Sequence, residues 1–179
     1  MQRGQLGVYH IMIVSRWFHT IDDFIHVELA TPKARGNMAK WHMNPVPLDN
    51  WSRQFFTSLE TFHLYSKEDE TFPDETFFKR VYWYPTKCDE KWIEQKKENE
   101  IYKDLSMDQN ALKRIGKIPD GVGKLVVSNR RESDEMKQPI ENLVIPDSVT
   151  FIRNGFLYDF DKLTALTMPT HWEQIGNRF

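Results

Sequence analysis

The segment from Ile140 to Phe156 is written again, with changes, from Leu163 to Phe179. Ile140 falls on Leu163, Leu143 on Leu166, Ile145 on Met168, Pro146 on Pro169, Ile152 on Ile175, Asn154 on Asn177 and Phe156 on Phe179, each pair 23 residues apart. A repeat of this length is one supersecondary unit that cannot bury its own apolar face, so neighbouring copies must stack on one another. A looser copy, "IPDGVGKLVVSN", sets Ile118-Pro119-Asp120 27 residues before Ile145-Pro146-Asp147, and the polar stretch "RRESDEMKQP" absorbs the longer spacing.

A period between 20 and 29 with a Leu-x-x-Leu-x-Leu-like core is the signature of leucine-rich repeats, where each unit supplies a short parallel strand and a return segment. The expected fold is therefore α+β: a short parallel-strand leucine-rich-repeat solenoid with an amino-terminal helical cap. Strand alternation puts Leu143, Ile145, Leu166 and Met168 inward. It turns Asn142, Val144, Ala165 and Thr167 outward, and these four are the candidate protein-binding positions. Proline at 146 and 169 lacks an amide donor and so ends each ladder.

Residues 7–43 read as a cluster of short helices. Ile11, Val14 and Phe18 recur at helical steps, and Thr20 with Asp23 spells a capping box ahead of Phe24, Ile25 and Leu29. Thr31-Pro32 is a cap with a first-turn proline, and Pro45 and Pro47 then turn the chain to extended structure. Residues 44–117 hold divergent repeats, "LETFHLYSKEDETF" and "FFKRVYWY", and a charged insertion from Asp89 to Lys117. Residues 118–179 carry the clear repeats.

The chemistry-bearing residues are scattered. His19, Asp22, Asp23 and His26 have a metal-like spelling, but a helix start accounts for both aspartates, and no metal site is assigned. His10, His42, His63 and His171 lie far apart, and Cys88 has neither a histidine nor a base beside it to activate a thiol. No glycine-rich phosphate cradle is present. No catalytic residue or cofactor is assigned, and the expectation is a protein that is not an enzyme; the alternative is an enzyme whose site gathers distant residues. With 24 basic and 26 acidic residues, a net charge of −2 and no basic stripe, nucleic acid is not an expected partner. One cysteine excludes an internal disulfide. The interrupted apolar start is too short for a signal peptide, and no long apolar run exists, so the default location is cytoplasmic.

The stretch "IPDSVTFIRNGFLYDFDKLTALTMPTHWEQIGNRF" resembles the BspA-type leucine-rich-repeat family, whose units carry IPxSV and a following I-x-x-x-x-F. Met168 and Trp172 stand where the family has isoleucine and valine. The phrases "IMIVSRWFHTIDDFIHVEL" and "RGNMAKWHMNPVPLD" are similar to the leader of BspA-like proteins of amoebic parasites. That resemblance implies protein recognition through a repeat surface, with surface association in some members. The same leader resembles an F-box-like three-helix unit, which implies an adaptor of a ubiquitin ligase as partner. Leu166, Met168, Ile175 and Phe179 would leave the last stacking face open, so self-association through the uncapped carboxyl-terminal repeat is also expected.

Overall fold

The computed structural model describes residues 7–128, 139–158 and 160–177. In chain order the helices and strands are α1 (Val8–Ser15), α2 (Ile21–Ala30), β1 (Thr61–Leu64), β2 (Lys79–Tyr82), β3 (Thr86–Lys87), α3 (Glu90–Gln95), β4 (Glu100–Tyr102), β5 (Leu105–Asp108), α4 (Gln109–Ile115), β6 (Lys124–Val126), β7 (Asn142–Val144), β8 (Phe151–Ile152), β9 (Ala165–Thr167) and β10 (Gln174–Ile175). Short 3₁₀ turns lie at Pro32–Ala34, Met38–Lys40 and Ser52–Phe55. The chain divides into two compact units, one of Met1–Tyr84 with Asn99–Ile101, the other of Pro85–Glu98 with Tyr102–Phe179.

Aromatic packing holds the first unit together. Phe24 on α2 is fully buried and meets Phe18, Trp41 and Phe56 edge-on, with ring centres 5.0, 6.0 and 5.8 Å away. This is the geometry that aromatic quadrupoles favour. Thr20 starts the helix that carries it: Asp23 N–H donates to Thr20 Oγ1 at 3.3 Å, and Asp23 Oδ2 accepts from Thr20 N–H at 3.0 Å. The sheet has strand order β1-β2-β4, with β1 and β2 parallel. Phe62 of β1 stacks on Phe77 at 4.8 Å, and the Arg80 guanidinium covers Phe77 while donating to the carbonyls of Phe72 and Glu75 at 2.9 Å.

Aliphatic side chains fill the second unit: Leu105, Met107, Leu112, Val122, Leu125, Leu143, Ile145, Val149 and Ile152 are all buried. Its larger sheet has five strands in the order β10-β8-β6-β5-β3, and its smaller one pairs β7 with β9. Helix α4 begins at Asp108, whose carboxylate accepts Ala111 N–H at 2.9 Å, and ends at Gly116 with φ +79°, a left-handed closure that glycine adopts without strain. Buried Gln109 donates to the carbonyl of Phe156 at 2.5 Å and so ties α4 to the return segment after β8.

The 23-residue correspondence is a pairing register. Asn142 faces Ala165, Leu143 faces Leu166, Val144 faces Thr167, and Phe151 and Ile152 face Gln174 and Ile175. Yet the expected solenoid with a helical cap is corrected. The strands fall into three separate parallel sheets, and β7–β9 is not continuous with β8–β10. Pro146 and Pro169 follow closely on β7 and β9, and loss of an amide donor stops the ladder there. Helices α3 and α4 lie among the strands of the second unit, so helix is not confined to an amino-terminal cap.

The BspA-like leucine-rich-repeat assignment falls with the solenoid, and recognition through a leucine-rich-repeat surface falls with it. The F-box-like reading is corrected as well. Between α2 and residue 43, where the third helix is expected, the chain makes only three-residue 3₁₀ turns, whose Ala34 and Met38 are buried. The looser spacing is assigned to "RRESDEMKQP", of which residues 130–138 lie outside the described residues, as does Phe179.

Candidate functional site

Helix α1 has more apolar side chains than one buried face can take. Ile11 and Ser15, four apart, form its buried stripe. Tyr9, Met12, Ile13 and Arg16 follow the i, i+3, i+4, i+7 pattern of a second stripe on the same helix. That second stripe, with Trp41, His42 and Met43, lines a cavity of about 340 Å³. Two segments distant in sequence therefore make the site.

Hydrogen bonds fix the facing segment. The carbonyl of His42 accepts the amides of Glu60 and Thr61 at 2.9 Å each. Met43 bridges to Thr61 in parallel. Buried Asn44 then clamps the start of the sheet, donating to the His63 carbonyl at 2.8 Å and accepting His63 N–H at 2.6 Å. Behind the helix, Asn37 Nδ2 donates to Ser15 Oγ at 3.2 Å, and Ser15 Oγ donates to the Met12 carbonyl at 3.0 Å. Glu28 accepts the amides of Gly36 and Met38 at 3.0 and 2.8 Å. These bonds make the floor rigid while the wall stays apolar.

Apolar side chains are also exposed on α1 and just after it. Tyr9 is 73% exposed and Trp17, two residues past the helix, 78%, with Val8, Ile13 and Val14 also exposed. Trp41 is buried, and its indole N–H finds no acceptor among the described residues. His42 Nδ1 lies 3.1 Å from Glu60 Oε1, an exposed pair at the polar margin. Such a site can take an apolar body and orient it by a polar edge; it offers no nucleophile paired with a base.

The four strand positions singled out by sequence, Asn142, Val144, Ala165 and Thr167, are all exposed and form two adjacent rows. The histidines stay apart. His10 accepts Gly7 N–H, His63 packs against Tyr65 and Trp83, and His171 bonds to Thr170. Asp23 serves the cap, and the amide of His19 and the hydroxyl of Thr20 hold its carboxyl below the usual carboxylate value. Among the described residues no three His, Cys, Asp or Glu side chains converge as metal ligands. Cys88 is buried, and burial, with Asp89 beside it, pushes its thiol up to about 11. Among the described residues no helix is long and apolar enough to cross a membrane.

Sequence reasoning missed the pocket, although a signal was present. Val8, Tyr9, Ile11, Met12, Ile13 and Val14 crowd one short helix, and an apolar surplus of that kind needs a second partner. No family model, no curated protein and no solved structure matches this chain.

Proposed function

We propose that the chain is a binding protein that receives bulky apolar side chains of a protein partner in the pocket between α1 and Trp41–Met43. The observation that carries this reading is the second stripe of α1. Tyr9, Met12 and Ile13 line a cavity of about 340 Å³, and Tyr9 and Ile13 are at the same time exposed to an incoming partner. A contiguous apolar area rimmed by polar groups marks interaction surfaces. Tyrosine, tryptophan, methionine and arginine are the residue types that interfaces favour. Flexible, polarizable Met12 and Met43 let such a pocket adapt to its guest. The cavity volume suits one or two large side chains and leaves the rest of the partner on the exposed helix.

Selection of displayed random peptides against the intact chain, with counter-selection against Ile13→Glu, tests this. The expected product is a consensus with one or two bulky apolar residues that shifts the methyl resonances of Met12 and Met43. Peptides that bind the Ile13→Glu variant equally well, or that shift only other methionines, would overturn it.

A further inference from the structure

A second cavity lies wholly within the other unit. Trp92, Ile93 and Lys96 from α3 and its end, with residues 117–120 after α4, line an open cavity of about 430 Å³. Its wall is apolar: Trp92 and Ile118 are buried and present their sides to it. Its charge is cationic, because Lys96 and Lys117 face a single carboxylate, Asp120. Both lysines are exposed, and among the described residues neither has a carboxylate at ion-pair distance.

Trp92 is the organising residue. Asp89 caps α3 by accepting Trp92 N–H at 2.9 Å, and Tyr102 meets the indole edge-on at 5.3 Å, so the ring orientation is fixed. Lys96 Nζ sits 5.0 Å from the centre of that ring. The indole N–H is buried, with no acceptor among the described residues.

We propose that this cavity binds a small aromatic monoanion, a carboxylate or sulfonate carried on a planar ring system. The anionic group pairs with Lys96 and Lys117, and an anion drawn to Lys96 brings its carrier onto the indole of Trp92. Asp120 makes the balance of the lining one positive charge, which favours a monoanion over a polyanion such as a nucleoside triphosphate. The site shares no residue with the pocket beside α1, and it stands or falls independently of that one.

The test uses the whole chain labelled with ¹⁵N at its tryptophan indoles, titrated with 1-naphthoate and, separately, with the neutral isostere 1-naphthamide. The Trp92 resonance is assigned by its loss in Trp92→Phe. Naphthoate should move that resonance saturably and bind at least tenfold more tightly than naphthamide. Lys96→Gln with Lys117→Gln, at two exposed positions, should weaken naphthoate at least tenfold and leave the naphthamide affinity unchanged. Equal binding of the two probes, an unaltered affinity in the double variant, or movement of the Trp41 resonance with a silent Trp92 would each overturn the proposal. Ile13→Glu, which removes the α1 pocket, should leave naphthoate binding intact.

Discussion

The two units bury apolar surface by different means. The first converges rings on Phe24 and Phe62 from α2, from 3₁₀ turns and from loops, with little regular spacing among the contributors. The second lines aliphatic residues along parallel strands in fixed register, Met107 beside Leu125 and Leu125 beside Ile152. Regular spacing spreads the burial over many equivalent positions, whereas ring convergence concentrates it on a few. A core of the first kind should fail at its centre, and one of the second kind should fail by degrees.

Phe24→Ala is the most severe break in this contrast. It removes a fully buried ring touching three others, and a Phe→Ala cavity costs about 3–5 kcal/mol. Chemical denaturation should show that loss, and near-UV circular dichroism should show collapse of the aromatic signal of the first unit. A loss under about 1 kcal/mol would mean that its core is not organised around this ring.

A paired measurement in the second unit sharpens the comparison. Leu143 and Leu166 are register partners, but Leu143 is 2% exposed and Leu166 38%. Leu143→Ala should cost about 2–5 kcal/mol and Leu166→Ala about 1 kcal/mol or less. The inequality comes from topology. Among the described residues β9 pairs only with β7, and all three of its residues are exposed, whereas Leu143 of β7 faces the aliphatic core.

The same pair shows what sequence could and could not convey. The spacing of Leu143 and Leu166 is legible because backbone pairing preserves it: Thr164 and Ala165 donate to the Glu141 carbonyl, and Asn177 N–H donates to Asn154 Oδ1 at 2.6 Å. Both inward positions read alike, since a repeat carries no mark of which copy has a neighbour beyond it. The division into three sheets was hidden for a related reason. Strands of two to four residues are set by local turns and prolines, which a period does not reveal. The Thr20–Asp23 capping box was legible, being a local hydrogen-bonding motif. Neither cavity was, because Trp41 meets Met12, and Lys117 meets Trp92, only through tertiary folding.

The smallest effect concerns a feature that the two units share. Asp23 in the first and Asp147 in the second each accept a threonine hydroxyl and a backbone amide. Asp147 Oδ1 takes Thr170 N–H at 2.7 Å and Thr170 Oγ1 at 3.0 Å, across the 23-residue step. Those bonds favour the charged carboxylate and lower its pKa below the reference 3.8, and the Asp23 carboxyl is lowered likewise. A folded pKa below the unfolded one means that stability is present above the unfolded value and is lost as pH falls through the folded one. The Thr170 and Thr20 amide resonances should therefore titrate with midpoints below 3.8, and Asp147→Asn should abolish the first transition and spare the second. Midpoints at or above the reference would show that the carboxylates are not held by these amides. Equal behaviour at the two sites would place this acid sensitivity in local hydrogen bonding, independent of whether rings or aliphatic rows fill the core beneath.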